Sequence, residues 1–181
     1  MAGRIVAKVV NRIRDAKEKE ELDLSKCDLI QVPDAVYLMM KSVTLRICDL
    51  SGNLLQKLPS KFPVRFPDIT ELDLGENKLT TLPDELRKIE NLKVLNVSGN
   101  RIQVLPHVVY ELNKLRALDA KNNVLTELDV TKLKRMLSLT EIDLQDNPLP
   151  EQLSTELLEI KVFTVLLGDS DPVGAQLEEV E

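Results

Sequence analysis

The sequence predicts an α/β solenoid of about six right-handed coils, with a parallel sheet on its concave side and a helical cap at its N-terminal end. Three observations support this: an asparagine recurs at a nearly fixed period, apolar residues recur at fixed distances from it, and the two ends of the chain break the pattern. The asparagines are Asn53, Asn77, Asn100, Asn123 and Asn147, at spacings of 24, 23, 23 and 24 residues. Such a period is typical of a solenoid, in which each coil packs only on its neighbours.

Leucine-like residues lie eight, five and three positions before each asparagine and two positions after it. Repeat four shows the unit, with Leu92, Leu95 and Val97 before Asn100 and Ile102 after it. The two residues nearest the asparagine have a period of two, which predicts a short strand with both side chains on one face. Stacked copies of this strand predict a parallel sheet, and an earlier irregular copy brings the number of coils to six.

The recurrent asparagine predicts a buried structural ladder. Its amide carries two donors and an acceptor, so it can pair with the backbone groups of the turn that follows each strand. Leaving such groups unpaired would cost about 1–3 kcal/mol each. The predicted ladder consists of Cys27, Asn53, Asn77, Asn100, Asn123 and Asn147, in which Cys27 is the weak first member.

Leu-Pro pairs such as Leu82-Pro83 end the strand-and-turn part of three repeats and predict irregular or short helical return segments on the convex side. No proline follows Leu128, which predicts a looser turn between repeats five and six. Ala120 occupies a strand-leucine position, so we expect neighbouring coils to fill the space it leaves.

The 23-residue unit LPxxLxxLxxLxxLxLxxNxLxx, clearest from Leu82 to Leu105, resembles the intracellular Leu-Pro class of leucine-rich repeats found in Ras-pathway and cell-polarity scaffolds. The whole chain, including Ser60-Lys61-Phe62 and Asn147-Pro148-Leu149, is similar to small repeat-only members of this family. The resemblance implies a cytoplasmic protein without a catalytic domain. It implies no particular partner, and it assigns no functional residue to this chain.

The ends of a solenoid expose its core, so atypical segments are expected to cover them. Residues 1–18 predict an amphipathic N-terminal cap helix, residues 19–150 the six repeats, residues 151–167 a C-terminal cap, and residues 168–181 an acidic flexible tail. The apolar face of the helix is predicted to hold Ile5, Val6, Val9, Val10, Ile13 and Ala16. The C-terminal cap is predicted to use Leu153, Leu157, Leu158, Ile160 and the apolar run 162–167.

Composition argues against several classes of function. The chain has a net charge of −6 and no basic stripe, which argues against nucleic-acid binding. One histidine and two cysteines supply neither a zinc site nor a catalytic triad, and no glycine-rich loop is present to hold a phosphate. Acidic side chains in a column on a flat sheet do not surround a calcium ion. We therefore expect no enzyme activity, metal or cofactor.

Cysteine usage and hydropathy predict a cytoplasmic location. Cys27 and Cys48 fall in different layers of the coil, so they are not expected to pair, and reduced thiols are typical of intracellular proteins. No apolar run reaches the roughly 20 residues needed to span a bilayer. The first 20 residues carry charges throughout, unlike a secretory signal peptide.

The residue between the two strand leucines must point outward, and in five of six repeats it is an aspartate. Together with flanking glutamates it predicts a negatively charged concave surface, here called the acidic palm: Asp23, Asp49, Glu71, Asp73, Asn96, Asp119, Glu141 and Asp143. A small apolar strip of Ile47, Val94 and Ala117 accompanies it. Like charges at strand spacing repel, which would raise the pKa of the carboxylates.

Two interpretations of the aspartate column stay open. Aspartate is frequent in this slot of leucine-rich repeats, where it bonds to neighbouring backbone, so the column can be structural. Alternatively, the acidic palm receives a basic or amphipathic segment of a partner protein. The sequence thus predicts a non-catalytic protein-interaction module, adaptor or scaffold. Alternatives are a peripheral membrane protein docking through the basic N-terminal helix, or the regulatory subunit of an enzyme. The partner and the oligomeric state are not indicated.

Overall fold

The structure is a computed structural model that describes residues 2–168 of the 181-residue chain. Its elements, in chain order, are α1 (Ala2–Lys19), β1 (Glu21–Asp23), α2 (Asp34–Met39), β2 (Ile47–Asp49), α3 (Lys61–Arg65), β3 (Glu71–Asp73), a 3₁₀ helix (Asp84–Lys88), β4 (Val94–Asn96), a second 3₁₀ helix (His107–Glu111), β5 (Ala117–Asp119), α4 (Val130–Leu133), β6 (Glu141–Asp143), α5 (Glu151–Leu158) and β7 (Thr164–Leu166). Alternation of strands with convex segments confirms the predicted α/β solenoid.

The strands form one seven-stranded parallel sheet in chain order. Their register follows the repeat period, so Leu72 pairs with Leu95 and Leu95 with Leu118. The middle residue of strands β1 to β6 is buried, whereas the residues on either side of it are exposed or half-buried. The period-two pattern therefore directs one side chain of each strand into the core and two onto the concave surface.

The convex side is built from short helices, as the Leu-Pro pairs predict. Pro83 and Pro106 lie immediately before the two 3₁₀ helices, where a proline suits the start of a helix because its φ is already fixed and its missing N–H needs no partner. In the second coil the larger rings of Phe62 and Phe66 fill this layer, in an edge-to-face pair with centroids 5.1 Å apart.

The turn between repeats five and six, where the absent proline predicts a looser turn, contains a side-chain cap. Asp129 stands at the N-cap of α4 and its Oδ1 accepts the Lys132 N–H at 2.9 Å. The Asp129 N–H in turn donates to the Tyr110 hydroxyl at 2.9 Å. A side-chain cap therefore fixes the start of this helix in place of proline.

Helix α1 covers the first coil. Val9, Ile13 and Ala16 are buried against the core and Val10 is half-buried. Val6 is 61% exposed, so its predicted place on the buried face is wrong. The side chain of Ile5 lies outside the described residues.

Within the described residues, the C-terminal segment adds a seventh strand to the six that the repeats predict. Val165 of β7 pairs with Ile142 of β6, because Phe163, Val165 and Leu167 alternate like the strand leucines of the coils before. Leu157 and Ile160 are buried. Leu158, predicted as a cap residue, is 67% exposed because it faces away from the core. Residues 169–181, most of the predicted acidic tail, lie outside the described residues.

Candidate interaction surface on the concave sheet

The asparagine side chains hold the turns that border the concave surface. The Nδ2 of Asn100 donates to the carbonyl oxygens of Leu74 and Val97 at 2.9 Å, and its Oδ1 accepts the Leu79 N–H at 2.9 Å. Each bond to the coil before ties two coils together. The same arrangement recurs at the other asparagines, of which Asn147 is the least buried. The concave side chains therefore project from a fixed backbone.

The first coil has no asparagine, and an arginine of α1 takes over part of its role. Cys27 is buried, and its thiol faces the Ser25 carbonyl oxygen at 3.3 Å. Nη1 of Arg12 donates to the same oxygen at 2.7 Å, and Nζ of Lys8 donates to the Lys26 carbonyl at 2.7 Å. The sequence did not predict that Arg12 and Lys8 donate to these carbonyl oxygens. The helical period shows which face of α1 is apolar, but not which turn of the first coil that helix contacts.

Each residue of the aspartate column is the last residue of its strand. In every coil the Oδ1 of the column residue accepts the backbone N–H two residues further on, as from Asp73 to Gly75 at 2.8 Å. The other five bonds have lengths of 2.8–3.1 Å and join Asp23 to Ser25, Asp49 to Ser51, Asn96 to Ser98, Asp119 to Lys121 and Asp143 to Gln145. Such Asx turns are a local structural use of aspartate. The structural interpretation thus has a direct basis, and it accounts for one oxygen of each carboxylate.

The second oxygen of three column residues also has a partner. Asp73 Oδ2 accepts the Asn96 amide at 3.1 Å. The Lys121 ammonium lies 3.5 Å from Asp119 Oδ2 and 3.8 Å from Asp143 Oδ2. The structure brings the whole column together in register, but part of its charge is already compensated.

The pKa values of two column carboxylates move in opposite directions. Burial raises the pKa of Asp73, the hydrogen bonds from Gly75 and Asn96 oppose this, and the charges of Asp49 and Asp119 add to the increase. At Asp23 burial also acts to raise the pKa, but hydrogen bonds from Ser25 and the charge of Arg12 lower it overall. The expected repulsion between carboxylates therefore contributes at Asp73, and at Asp23 the expectation of a raised pKa is wrong.

The flanking glutamates of the acidic palm are less constrained. Glu71 and Glu141 are exposed, and neither forms a salt bridge or a side-chain hydrogen bond within the part of the chain that the structure describes. Between them in the sheet lie Val94, which is 39% exposed, and half-buried Ala117. Glu71 separates Ile47 from the other two residues of the apolar strip, so a negative charge stands on either side of Val94 and Ala117.

A row of cations runs beside the palm, one residue before the flanking positions. It consists of Arg46, Lys93 and Arg116, all exposed. They occur in the coils whose flanking residue is apolar, so Lys93 precedes Val94 and Arg116 precedes Ala117. The repeat period would have revealed this row, but sequence reasoning considered only the columns nearest the strand centre. The concave surface is therefore acidic at its centre and basic along one margin.

Other reactive residues do not form a site in the described part of the chain. No group of three His, Cys, Asp or Glu within residues 2–168 could hold a metal ion. The His107 imidazole lies 3.1 Å from Glu111 on the convex side. Cys27 and Cys48 are free and buried, and burial raises the pKa of the Cys48 thiol. None of the described helices is long and apolar enough to cross a membrane.

Two known proteins are similar to this chain in sequence. Leucine-rich repeat-containing protein 20 of Mus musculus is 29% identical over 173 residues, which cover 93% of this chain and 94% of that protein. Its Homo sapiens counterpart is 33% identical over 95 residues, covering 50% of this chain and 52% of that protein. The second alignment therefore spans about half the length of the relative.

Solved structures agree. A leucine-rich repeat protein of Leptospira interrogans superposes with a TM-score of 0.66 at 32% identity, covering 78% of this chain and 36% of that one. Toll in its complex with Spätzle, from Drosophila, gives a TM-score of 0.65 at 23% identity, covering 82% of this chain and 21% of that one, which shows the fold alone. The family model described as Leucine rich repeat matches residues 43–102 and 90–149. Since these matches cover more than half of the chain and coincide with the observed coils, the protein belongs to the leucine-rich repeat family and resembles leucine-rich repeat-containing protein 20.

Proposed function

We propose that this protein is a non-catalytic adaptor that binds a basic or amphipathic segment of a partner protein across its acidic palm. Protein–protein interaction is the general role of leucine-rich repeat proteins. The observation that carries the finer proposal is the pair Glu71 and Glu141, whose exposed carboxylates flank part of the apolar strip and carry no ion pair among the described residues.

A rigid sheet favours such binding. The asparagine ladder and the Asx turns hold the concave backbone before a partner arrives, so little conformational entropy is lost on that side of the interface. Fixed negative charge would also steer a cationic segment and raise its association rate at low salt.

The mosaic of charges restricts the partner further. A segment crossing strands β3 to β6 would place cations near Glu71 and Glu141 and an apolar side chain over Val94 and Ala117. An acidic group beside the middle of the segment, on the side of the basic margin, would meet Lys93 or Arg116. This pattern describes an amphipathic segment better than a uniformly basic one.

The membrane alternative has less support. Two cations of the N-terminal helix, Lys8 and Arg12, hydrogen-bond to the first coil, which explains them without a lipid surface. The regulatory-subunit alternative differs only in the identity of the partner, and the capture experiment below decides it if an enzyme co-purifies.

The test is affinity capture from cell extract with a variant that removes charge and keeps shape: Glu71→Gln, Asp119→Asn and Glu141→Gln. Asn96 already forms the Asx turn with an amide oxygen, so Asp119→Asn preserves the turn. Asp73 is left intact, because an amide there would face the Asn96 amide donor. The control removes three exposed charges outside the palm: Asp68→Asn, Glu90→Gln and Glu159→Gln.

We expect proteins that are captured by the wild type and by the control, are lost with the palm variant, and bind less at high salt. Equal capture by all three folded proteins would exclude the palm as the binding surface.

A further inference from the structure

The last strand of the sheet presents an open edge in the described structure. The Thr164 N–H donates to Thr140 and the Leu166 carbonyl accepts from Leu144, so residues 164 and 166 bond to β6. Because backbone groups alternate in direction along a strand, the N–H and C=O of Val165 point away from β6. No strand within residues 2–168 pairs with them.

The outer edge of the first strand, β1, is covered, unlike that of β7 in the described structure. Its outer side is covered by α1, and Arg12 and Lys8 bond to the carbonyl oxygens of Ser25 and Lys26. Natural proteins usually protect a sheet edge by covering it or by placing charge or proline on it. β7 consists of Thr164, Val165 and Leu166, so it carries neither charge nor proline, and no strand within residues 2–168 covers its outer side.

β7 differs from the neighbouring strand β6 in that its concave side chains carry no charge. Leu166 pairs with Asp143 in the register of the sheet and Thr164 pairs with Glu141. Strand β7 thus carries a leucine where the other six strands carry aspartate or asparagine. Two copies of a strand like β6 would repel, whereas two copies of β7 have no like charges to oppose.

The pattern of β7 is also self-complementary. We propose that a second copy of this chain pairs with β7 in antiparallel orientation, about a two-fold axis through Val165. In an antiparallel ladder a directly opposed residue pair can exchange both N–H···O bonds, and Val165 presents both groups outward. Val165 then opposes its own copy, and the same register sets Phe163 opposite Leu167.

In this register the hydrophobic core of one copy would pack against the core of the other. Val165 and Leu167 are half-buried and Phe163 is 8% exposed, although all three lie in the row that continues the core leucines. Leu149 and Leu153 of the last coil are half-buried as well. Pairing would bring each apolar row against its copy, as stacking of a further coil would do, and is an isologous contact of the kind common in homodimers.

The test variant places lysine at both concave positions of the edge, Thr164→Lys and Leu166→Lys. Within one chain the new cations lie beside Glu141 and Asp143, so the fold is not expected to suffer. In the dimer, the lysine introduced at position 164 of each copy would directly oppose the lysine introduced at position 166 of the other, and like charges in opposed positions destabilise a pair. The control carries two lysines at exposed convex positions, Leu38→Lys and Leu137→Lys.

Sedimentation equilibrium of the full chain gives the dissociation constant. We expect a dimer for the wild type and the control, and dimerisation weakened about tenfold or more by the edge variant. Val165→Pro, which removes the outward N–H and keeps an apolar side chain in the core row, should act in the same direction. Hydrogen exchange of the Val165 amide should slow with increasing protein concentration.

Three results would overturn the proposal. One is a wild type that stays monomeric throughout. Another is a dimer unaffected by the edge variants, which would place the contact elsewhere. The third is a Val165 amide that is equally protected in a dilute monomer, which would mean that the chain beyond Gly168 covers the edge.

Discussion

Nη1 of Arg12 lies 2.7 Å from the carbonyl oxygen of Ser25 and 2.9 Å from Oδ1 of Asp23. In the next coil the corresponding carbonyl, that of Ser51, accepts the amide of Asn53. One arginine from outside the repeats thus supplies a donor that the first coil lacks, and it joins the N-terminal helix to the start of the acidic palm.

Replacing Arg12 should therefore loosen the N-terminal cap. We expect Arg12→Ala to lower the free energy of unfolding by about 1–3 kcal/mol, because a partly buried carbonyl loses its donor. The ion pair with Asp23 should add little, since Asp23 is 60% exposed. Urea denaturation measures the loss, with exposed Arg14→Ala as the control. Equal effects of both substitutions would contradict this role.

The asparagine ladder should be more sensitive at a buried member such as Asn100 than at partly exposed Asn147. Asn100→Ala leaves the Leu79 N–H and several carbonyls without their partner, so we expect a loss of about 3 kcal/mol or more. Asn147→Ala should cost clearly less, because Asn147 is partly exposed and water can replace its bonds. Urea denaturation of both variants gives the comparison, and a larger loss at Asn147 would refute it.

The contributions of Asp73 and Asp23 to the free energy of unfolding should change with pH in opposite directions. Asp73 has a pKa raised above 3.8, so its contribution to stability is largest below the unfolded-state pKa and declines as the pH rises through the folded-state value. Asp23 has a lowered pKa, so its contribution is present above the unfolded-state pKa and is lost as the pH falls through the folded-state value.

Titration of the two carboxyl carbons by NMR checks this order directly. We expect Asp73 to titrate at a higher pH than Asp23, and Arg12→Ala to raise the pKa of Asp23 while leaving that of Asp73 unchanged. If the two carboxyls titrated together, burial of Asp73 and the Ser25 hydrogen bonds and Arg12 charge at Asp23 would not be the causes of the difference.

The cap of α4 should depend on a hydroxyl group from the coil before. Tyr110→Phe removes the acceptor of the Asp129 N–H, and we expect a loss of about 1 kcal/mol in the free energy of unfolding. Asp129→Asn keeps an acceptor for the Lys132 N–H and should be milder than Asp129→Ala. Thermal unfolding of the variants tests this, and no difference between Phe and Tyr would show that water replaces the hydroxyl.

The concave surface shows where sequence reasoning works and where it stops. Positions such as Asp73 and Asn96 could be placed side by side from the period alone, because neighbouring coils repeat the same offsets. The period could not reveal that the Asn96 amide occupies the outer oxygen of Asp73 or that Lys121 lies between Asp119 and Asp143. Those contacts depend on side-chain rotamers, which repeat spacing does not specify.

The sequence by itself determined the coils, their parallel register and the place of the asparagines, because each coil packs against a near copy of itself at a constant spacing. Only the tertiary structure decided what the non-repeating segments do. It set Arg12 against Ser25, capped α4 with Asp129 and turned the C-terminal segment into a seventh strand with an open edge in the described structure. These outcomes depend on how a unique segment docks on the stack, and a repeat period carries no information about that contact.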